Sequence, residues 1–344
     1  MTRVELPMAK PSWQANENGS LGSTHQRGRD AYRDVPILQQ PTWQHPIAAY
    51  FFAGGISSGA YLVGTVATLT GGARLRTMAR LAHYVSFAAL LPCPPLLIMD
   101  LGKPGRFYHM LRIFKPSSPM SLGSWALTTH GMFCALAAFV GLAHDADFPI
   151  LGPALRVVPE AAVDILGLPS ALVLGGYTGV LLGTSSVPLW ATSPLLGALF
   201  MASAINTGLA AVTLAGALSG RDSDAAHRAM APLAVCGDVV EMALLGGYMA
   251  TSGQAIQPLR GKREGLEIAG AAALIGVALA VEVAGLRAAR GRHRRSALAA
   301  TATLMGGALL RWGIVFAGHR SAADRETMLK TMAPSAPRRV WGAG

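Results

Sequence analysis

The chain has 344 residues, of which 51% are hydrophobic and only 14% charged, with 40 glycines and a formal net charge of +11. Soluble domains carry roughly 25% charged residues, so this composition leaves too little polar surface for a soluble globule, and abundant glycine suits close helix packing in lipid. The positive charges lie between apolar blocks and form no single stripe, which fits membrane flanking and argues against a nucleic-acid partner.

In chain order, residues 1–46 are polar, lack the apolar core of a signal peptide, and are predicted to form an N-terminal tail. Eight apolar stretches of about 20 residues follow, the length a helix needs to cross a bilayer. They are Ala48–Thr70, Met78–Ile98, Leu122–Leu142, Ala161–Gly183, Pro194–Leu218, Met230–Ala250, Ile268–Leu286 and Leu298–Ala317. Such runs are too long and continuous for the alternating ~10-residue strands of a membrane barrel. The expected fold is therefore an all-α integral membrane protein of eight transmembrane helices, arranged as two four-helix bundles. Its transmembrane domain is expected at 47–318, with a C-terminal tail at 319–344.

Two connections stand out. The second, Asp100 to Ser121, is long and rich in polar, aromatic and basic residues; the seventh, RAARGRHRR, holds Arg287, Arg290, Arg292, Arg294 and Arg295 with no acid. With those five, Arg74, Arg76, Arg80, Arg156, Arg221 and Arg228 bring the odd-numbered loops to eleven positive residues, against seven in the even-numbered ones. The positive-inside rule then puts the seventh loop in the cytoplasm and both termini outside the cytoplasmic (inner) membrane of the cell.

An even number of spans brings several segments to one face. There fall Trp43, His45 and Tyr50; Asp100, Lys103 and Arg106; Ser121 and Trp125; Thr184 and Trp190; Arg311 and His319. Aromatic, acidic and basic groups at one membrane depth suit a ligand with a polar head and an apolar tail. Plainer readings stand beside this one. Asp100, Lys103 and Arg106 could form an ion-paired loop turned by Gly102 and Pro104. The tryptophans could form an interfacial belt, and Tyr50 could snorkel.

Inside the spans, Asp238 and Glu241 lie three apart on one helix face. Acids at that depth cost about 2.5–3.5 kcal/mol each on insertion scales, so they need partners or a task. His83, His130 or Arg311 would neutralise them in a structural network; alternatively they form a proton path with Glu282 and Asp164. His83 and His130 allow at most one bis-histidine haem and are read as core histidines. GGYTGVLLGTSS lacks the lysine of a phosphate loop and reads as helix packing. Cys93, Cys134 and Cys236 form no CxxC pattern and are expected to be buried thiols without metal.

The segments IAAYFFAGGISSGAYL, MDLGKPGRFYHMLRIFKPSSPMSLGSW, LVLGGYTGVLLGTSSVPLW and AGHRSAAD carry a resemblance. From about Trp43 to Asp324 the chain resembles the NrfD-type family, the membrane subunit of polysulfide reductase and related respiratory complexes. The resemblance implies an eight-helix subunit, without haem or metal, that binds a quinone (menaquinone or ubiquinone) near the outer face. It implies electron exchange with a four-cluster ferredoxin-like iron–sulfur subunit, which serves a molybdopterin or multihaem catalytic subunit. Asp100 and Arg106 fall on the family's loop motif. Relatives place polar quinone contacts, asparagine and histidine among them, at the start of span one, where this chain has Pro46 and Tyr50 with His45 nearby. The expected quinone-binding set is Trp43, His45, Tyr50, Asp100, Arg106 and Trp125. Lys103, Arg106, Arg112 and Lys115 are expected to dock the partner. Asp238, Glu241, His83, His130, Glu282 and Asp164 are the expected proton path.

A quinol gives up two electrons and two protons, so its site needs groups that hydrogen-bond its oxygens and accept protons. The chain offers such groups and no redox metal, which makes it non-catalytic alone and sends electrons directly to a partner's cofactor. A secondary transporter, which also uses helix-breaking glycines and buried charges, and a non-catalytic membrane anchor are the alternatives.

Overall fold

A computed structural model describes residues 41–146, 152–220, 224–259, 262–287 and 292–324. Its regular structure is helical throughout, and eight helices are long and apolar enough to cross a membrane. These are α1 (His45–Gly72), α2 (Leu75–Met99), α3 (Pro119–Asp145), α4 (Glu160–Gly183), α5 (Leu196–Ser219), α6 (Ala226–Thr251), α7 (Arg263–Leu286) and α8 (His293–Ala323). The chain is a multi-pass membrane protein.

Local chemistry explains where helices start and stop. Pro46 and Pro119 occupy the first turns of α1 and α3, where the missing N–H would be unpaired anyway. Ser118 caps α3, accepting from the Ser121 amide at 3.4 Å. Between α1 and α2 there is almost no loop: helical hydrogen bonding runs on, but Gly72 at φ 53°, ψ −144° turns the chain back. No residue with a Cβ adopts that conformation easily. Pro92 interrupts α2, which resumes as Cys93–Met99. Gly220, left-handed at φ 65°, ends α5.

The helix pairings divide the spans as expected. Helices α1–α4 pack among themselves, as do α5–α8, and α1 and α4 meet α5 across the seam, with α8 closing against the α1–α2 hairpin. The closest crossing is α1 on α5. A Cβ on Gly59 would overlap the Ala204 carbonyl, and one on Gly208 would overlap the Gly59–Ala60 backbone. Small residues let two backbones touch here, the main source of helix adhesion where lipid removes the hydrophobic drive.

Alternating directions define two faces. The loop face carries the start of α1, the 100–118 connection, the 184–195 connection and the end of α8. The arginine face carries the α1–α2 turn and the starts of α6 and α8.

Candidate functional site

At the loop face, the first residues of α1 are held by other elements. Asp100, just after α2, faces the backbone of Gln44, the residue that caps α1. Partial burial raises its carboxyl pKa, and the nearby Gln44 backbone offsets part of that rise. An anion at a helix N-terminus is also favoured by the helix dipole. The ion pair expected in a purely structural loop is not formed among the described residues: Asp100 faces α1, and Lys103 and Arg106 are exposed without a carboxylate partner.

Trp43 stacks on Trp190 at 5.5 Å, and Trp190, fully buried, donates its indole N–H to the Ile314 carbonyl at 2.8 Å. His45 accepts from the Trp312 indole at 3.1 Å and lies 4.7 Å from the Phe316 ring. His319 packs on Trp190, its Nε2 buried with no partner. Tyr50 is buried deeper, on α1 beside Phe51. Trp125 packs on Phe114 at 6.0 Å with its indole N–H unpartnered. The structure therefore joins Trp43, His45 and Asp100 through the start of α1. Tyr50 lies further along α1, Trp125 sits on α3, and Arg106 points outward. The docking residues Lys103, Arg106, Arg112 and Lys115 are all exposed, and so are Phe107, Tyr108, Leu111, Ile113 and Phe114 between them.

Arg311 departs from its expected place at the face. It lies twelve residues before Ala323, about 18 Å from that end at 1.5 Å per residue, and is fully buried. Its guanidinium donates to the Phe51 carbonyl (3.1 Å), the Ser203 hydroxyl (2.9 Å) and the Gly307 carbonyl (3.0 Å), between the rings of Phe52 and Phe200. Glu241, also buried, lies near Ser203 and accepts from the Asn206 amide at 2.6 Å. Beyond Asn206 a cavity of about 130 Å³ runs to the arginine face, lined by Asp238, Glu282 and Thr303, with Arg228 and Arg295 at its outer end. A water needs about 10–15 Å³ by this measure and two to four polar partners. The walls offer them: Asn206 Oδ1, Asp238 Oδ2 and Glu282 Oε2 are buried without partners.

The remaining members of the expected proton path lie elsewhere. His83 Nε2 stands 3.0 Å from Asp164 Oδ1, and His130 Nε2 lies 3.0 Å from Ser57 Oγ. Both rings pack on Tyr61, which donates to the Val163 carbonyl. Near the arginine face Arg80 bonds Asp145 (2.6 Å) and Glu160 (2.9 Å). So the six residues form two clusters, one within α1–α4 and one within α5–α8. Of the three neutralising groups expected for Asp238 and Glu241, only Arg311 is near them, through Ser203; His83 and His130 are not. Cys93 and Cys134 are buried as expected, but Cys236 is exposed on α6. Among the described residues no three His, Cys, Asp or Glu side chains are grouped to hold a metal ion.

Residues 36–323 match the family model for polysulphide reductase, NrfD. The chain belongs to the NrfD family. The C subunit of polysulfide reductase from Wolinella succinogenes is 32% identical over 192 residues, 51% of this chain and 58% of that protein. The NrfD homolog of Haemophilus influenzae is 28% identical over 54% of this chain and 63% of its own length. Protein NrfD of Escherichia coli is 28% identical over 53% of this chain and 61% of its own length. The matched stretch thus spans about three-fifths of each of these relatives.

For this NrfD-family chain, sequence reasoning missed Asn206, Ser203, Trp312 and the His227–His293 pair. A lone asparagine in the middle of an apolar span was the one available signal, since a polar side chain at that depth needs a partner. Ser203 and Trp312 are unremarkable in sequence and gain roles only from which helices adjoin.

Proposed function

We propose that this chain is the quinone-facing membrane subunit of a reductase complex. It holds a quinone head group at the loop face and exchanges electrons with an iron–sulfur subunit seated on the 100–118 connection. The observation that carries the reading is the pairing of two features at one bilayer boundary. Asp100, His45 and the Trp43–Trp190 stack gather around the start of α1, and the chain then presents a loop with four exposed cations among five exposed large apolar side chains. Exposed apolar groups so concentrated mark an interaction surface, and electron transfer needs the partner's cluster close to the quinone. The name of the Wolinella relative, one subunit of a polysulfide reductase, fits a subunit role.

The chemistry follows from the groups present. Quinol oxidation releases two electrons and two protons; the reverse step consumes them. The Asp100 carboxylate and His45 imidazole can accept or return protons at the boundary, and the Tyr50 hydroxyl can hydrogen-bond a quinone oxygen. The electrons leave to the partner, and the substrate chemistry belongs to a molybdopterin or multihaem subunit beyond it. Menaquinone and ubiquinone both suit such a site.

Proton movement through α5–α8 is the second element of the proposal, favoured by the cavity. Asp238 and Glu282 border it, and Asn206, Glu241, Ser203 and Arg311 continue a chain of polar contacts to the Phe51 carbonyl, one residue beyond Tyr50. Arg311 keeps its proton and serves as a fixed positive charge at the inner end of that chain. The test uses the assembled complex in proteoliposomes. Asp100→Asn should depress quinone-linked turnover, and Asp238→Asn with Glu241→Gln should lower the protons moved per electron. Normal turnover and inhibitor sensitivity in the assembled Asp100 variant would reduce that residue to a helix cap and remove the quinone reading.

A further inference from the structure

At the arginine-face end of the α5–α8 cavity stand two guanidiniums that the described residues do not pair. Arg228, near the start of α6, and Arg295, near the start of α8, both line the cavity and are exposed. Neither forms an ion pair or hydrogen bond with the described residues. Their helix ends are tied together: His227 Nε2 and His293 Nδ1, one residue before Arg228 and two before Arg295, lie 3.0 Å apart. Ser296 adds a hydroxyl to the same rim.

Two guanidiniums and a hydroxyl offer the donors that a phosphate group needs, and arginine forks match phosphate oxygens in pairs. The surroundings decide which phosphate. Met230, Val281 and Leu286 make the cavity wall apolar beside the rim, and α6 and α7 turn exposed side chains such as Leu233 and Val277 outward to the bilayer. Glu282 and Asp238 lie further in and repel an anion, which confines it to the rim. We propose that this rim binds the headgroup phosphate of an anionic phospholipid, held between Arg228 on α6 and Arg295 on α8. The lipid bridges two helices that carry the proposed proton cavity, yet the site stands or falls independently of that role.

The test is native mass spectrometry of the full-length chain, with any subunits that copurify, delipidated and titrated with dioleoyl-phosphatidylglycerol. Saturable binding is expected, with phosphatidylcholine about tenfold weaker. Arg228→Gln and Arg295→Gln should each raise the phosphatidylglycerol midpoint about 5-fold, and the double variant about 30-fold, as expected for two basic residues at an anionic headgroup. Arg228→Lys with Arg295→Lys should keep most of the affinity, which separates loss of charge from misfolding. Arg76→Gln, exposed on the same face but outside the cavity, should change the midpoint less than twofold. An unchanged midpoint in the double glutamine variant would overturn the site. An equal loss with Arg76→Gln would replace it with diffuse surface charge. Complete displacement of phosphatidylglycerol by millimolar inorganic phosphate would overturn the lipid as occupant.

Discussion

Replacing Arg311 by methionine probes how a guanidinium survives in the middle of eight apolar helices. Its charge faces Glu241 through one intermediary. The Arg311–Ser203 contact is 2.9 Å, and the Glu241 carboxyl lies on the far side of Ser203, close enough for the two charges to interact. Charges about 6–8 Å apart attract by about 2–3 kcal/mol at an effective dielectric constant near 20. Arg311→Met strands a buried carboxylate and is expected to cost about 3–5 kcal/mol. Glu241→Gln keeps a carbonyl to accept from Asn206 but strands the guanidinium, and should cost a comparable amount. The double variant leaves neither charge, so its cost should fall short of the sum by about 2–3 kcal/mol. Equilibrium unfolding in mixed micelles of rising dodecyl sulfate fraction measures all four corners of this cycle. Additivity within about 0.5 kcal/mol would refute the reasoning, because it would mean that the two groups do not sense each other.

Three further outcomes are expected. Gly59→Ala forces α1 from α5 at their backbone contact and should destabilise by about 1–3 kcal/mol, whereas Gly276→Ala, where an added Cβ meets nothing within 4 Å, should be near neutral in the same assay. A carboxyl pKa raised by burial means that the folded state favours the protonated form, so Asp100's contribution is present below about pH 4 and lost as pH rises through its folded value. Asp100→Asn should therefore be at least as stable as the parent at neutral pH and flatten the pH dependence of unfolding, while Asp100→Ala should cost about 0.5–2 kcal/mol with the cap. Amine-reactive cross-linkers at Lys103 and Lys115 should capture the iron–sulfur subunit. Capture instead by a photo-cross-linking residue placed at Arg76, on the arginine face, would invert the proposed docking.

The spans were legible because a bilayer imposes both length and apolarity. Their ends were not. Helix α1 starts at His45 and α8 runs to Ala323, since backbone hydrogen bonding continues into the boundary region, where polar residues such as His45, Glu264 and Arg320 interrupt an apolar run without interrupting a helix. Parity brought Trp43, His45 and Asp100 to one face, but nothing in the chain order tells that Asp100 faces Gln44. The six acids and histidines inside the spans were visible as costly residues. Their division into two clusters depends on which helices are neighbours, and His83 meets Asp164 only because α2 lies against α4. Arg311 was misplaced for a related reason: its position near the end of the last apolar run hid how far α8 continues.

Helix α1 is the least apolar and the most enclosed of the eight spans, and it is also the first to leave the ribosome. Its serines and threonines, and Gly59, which packs on the α5 backbone, enter the bilayer before α5 exists. Residues 73–195 separate the end of α1 from the start of α5, so at synthesis rates of roughly 5–20 residues per second the wait is about 6–25 s. During that interval α1 can lean on α2, α3 and α4 as they emerge or on a host insertion factor, but its α5 face stays uncovered. Biogenesis therefore depends on shelter for one helix, and a chain truncated before α5 should be cleared by membrane proteolysis even though every span it contains has been inserted.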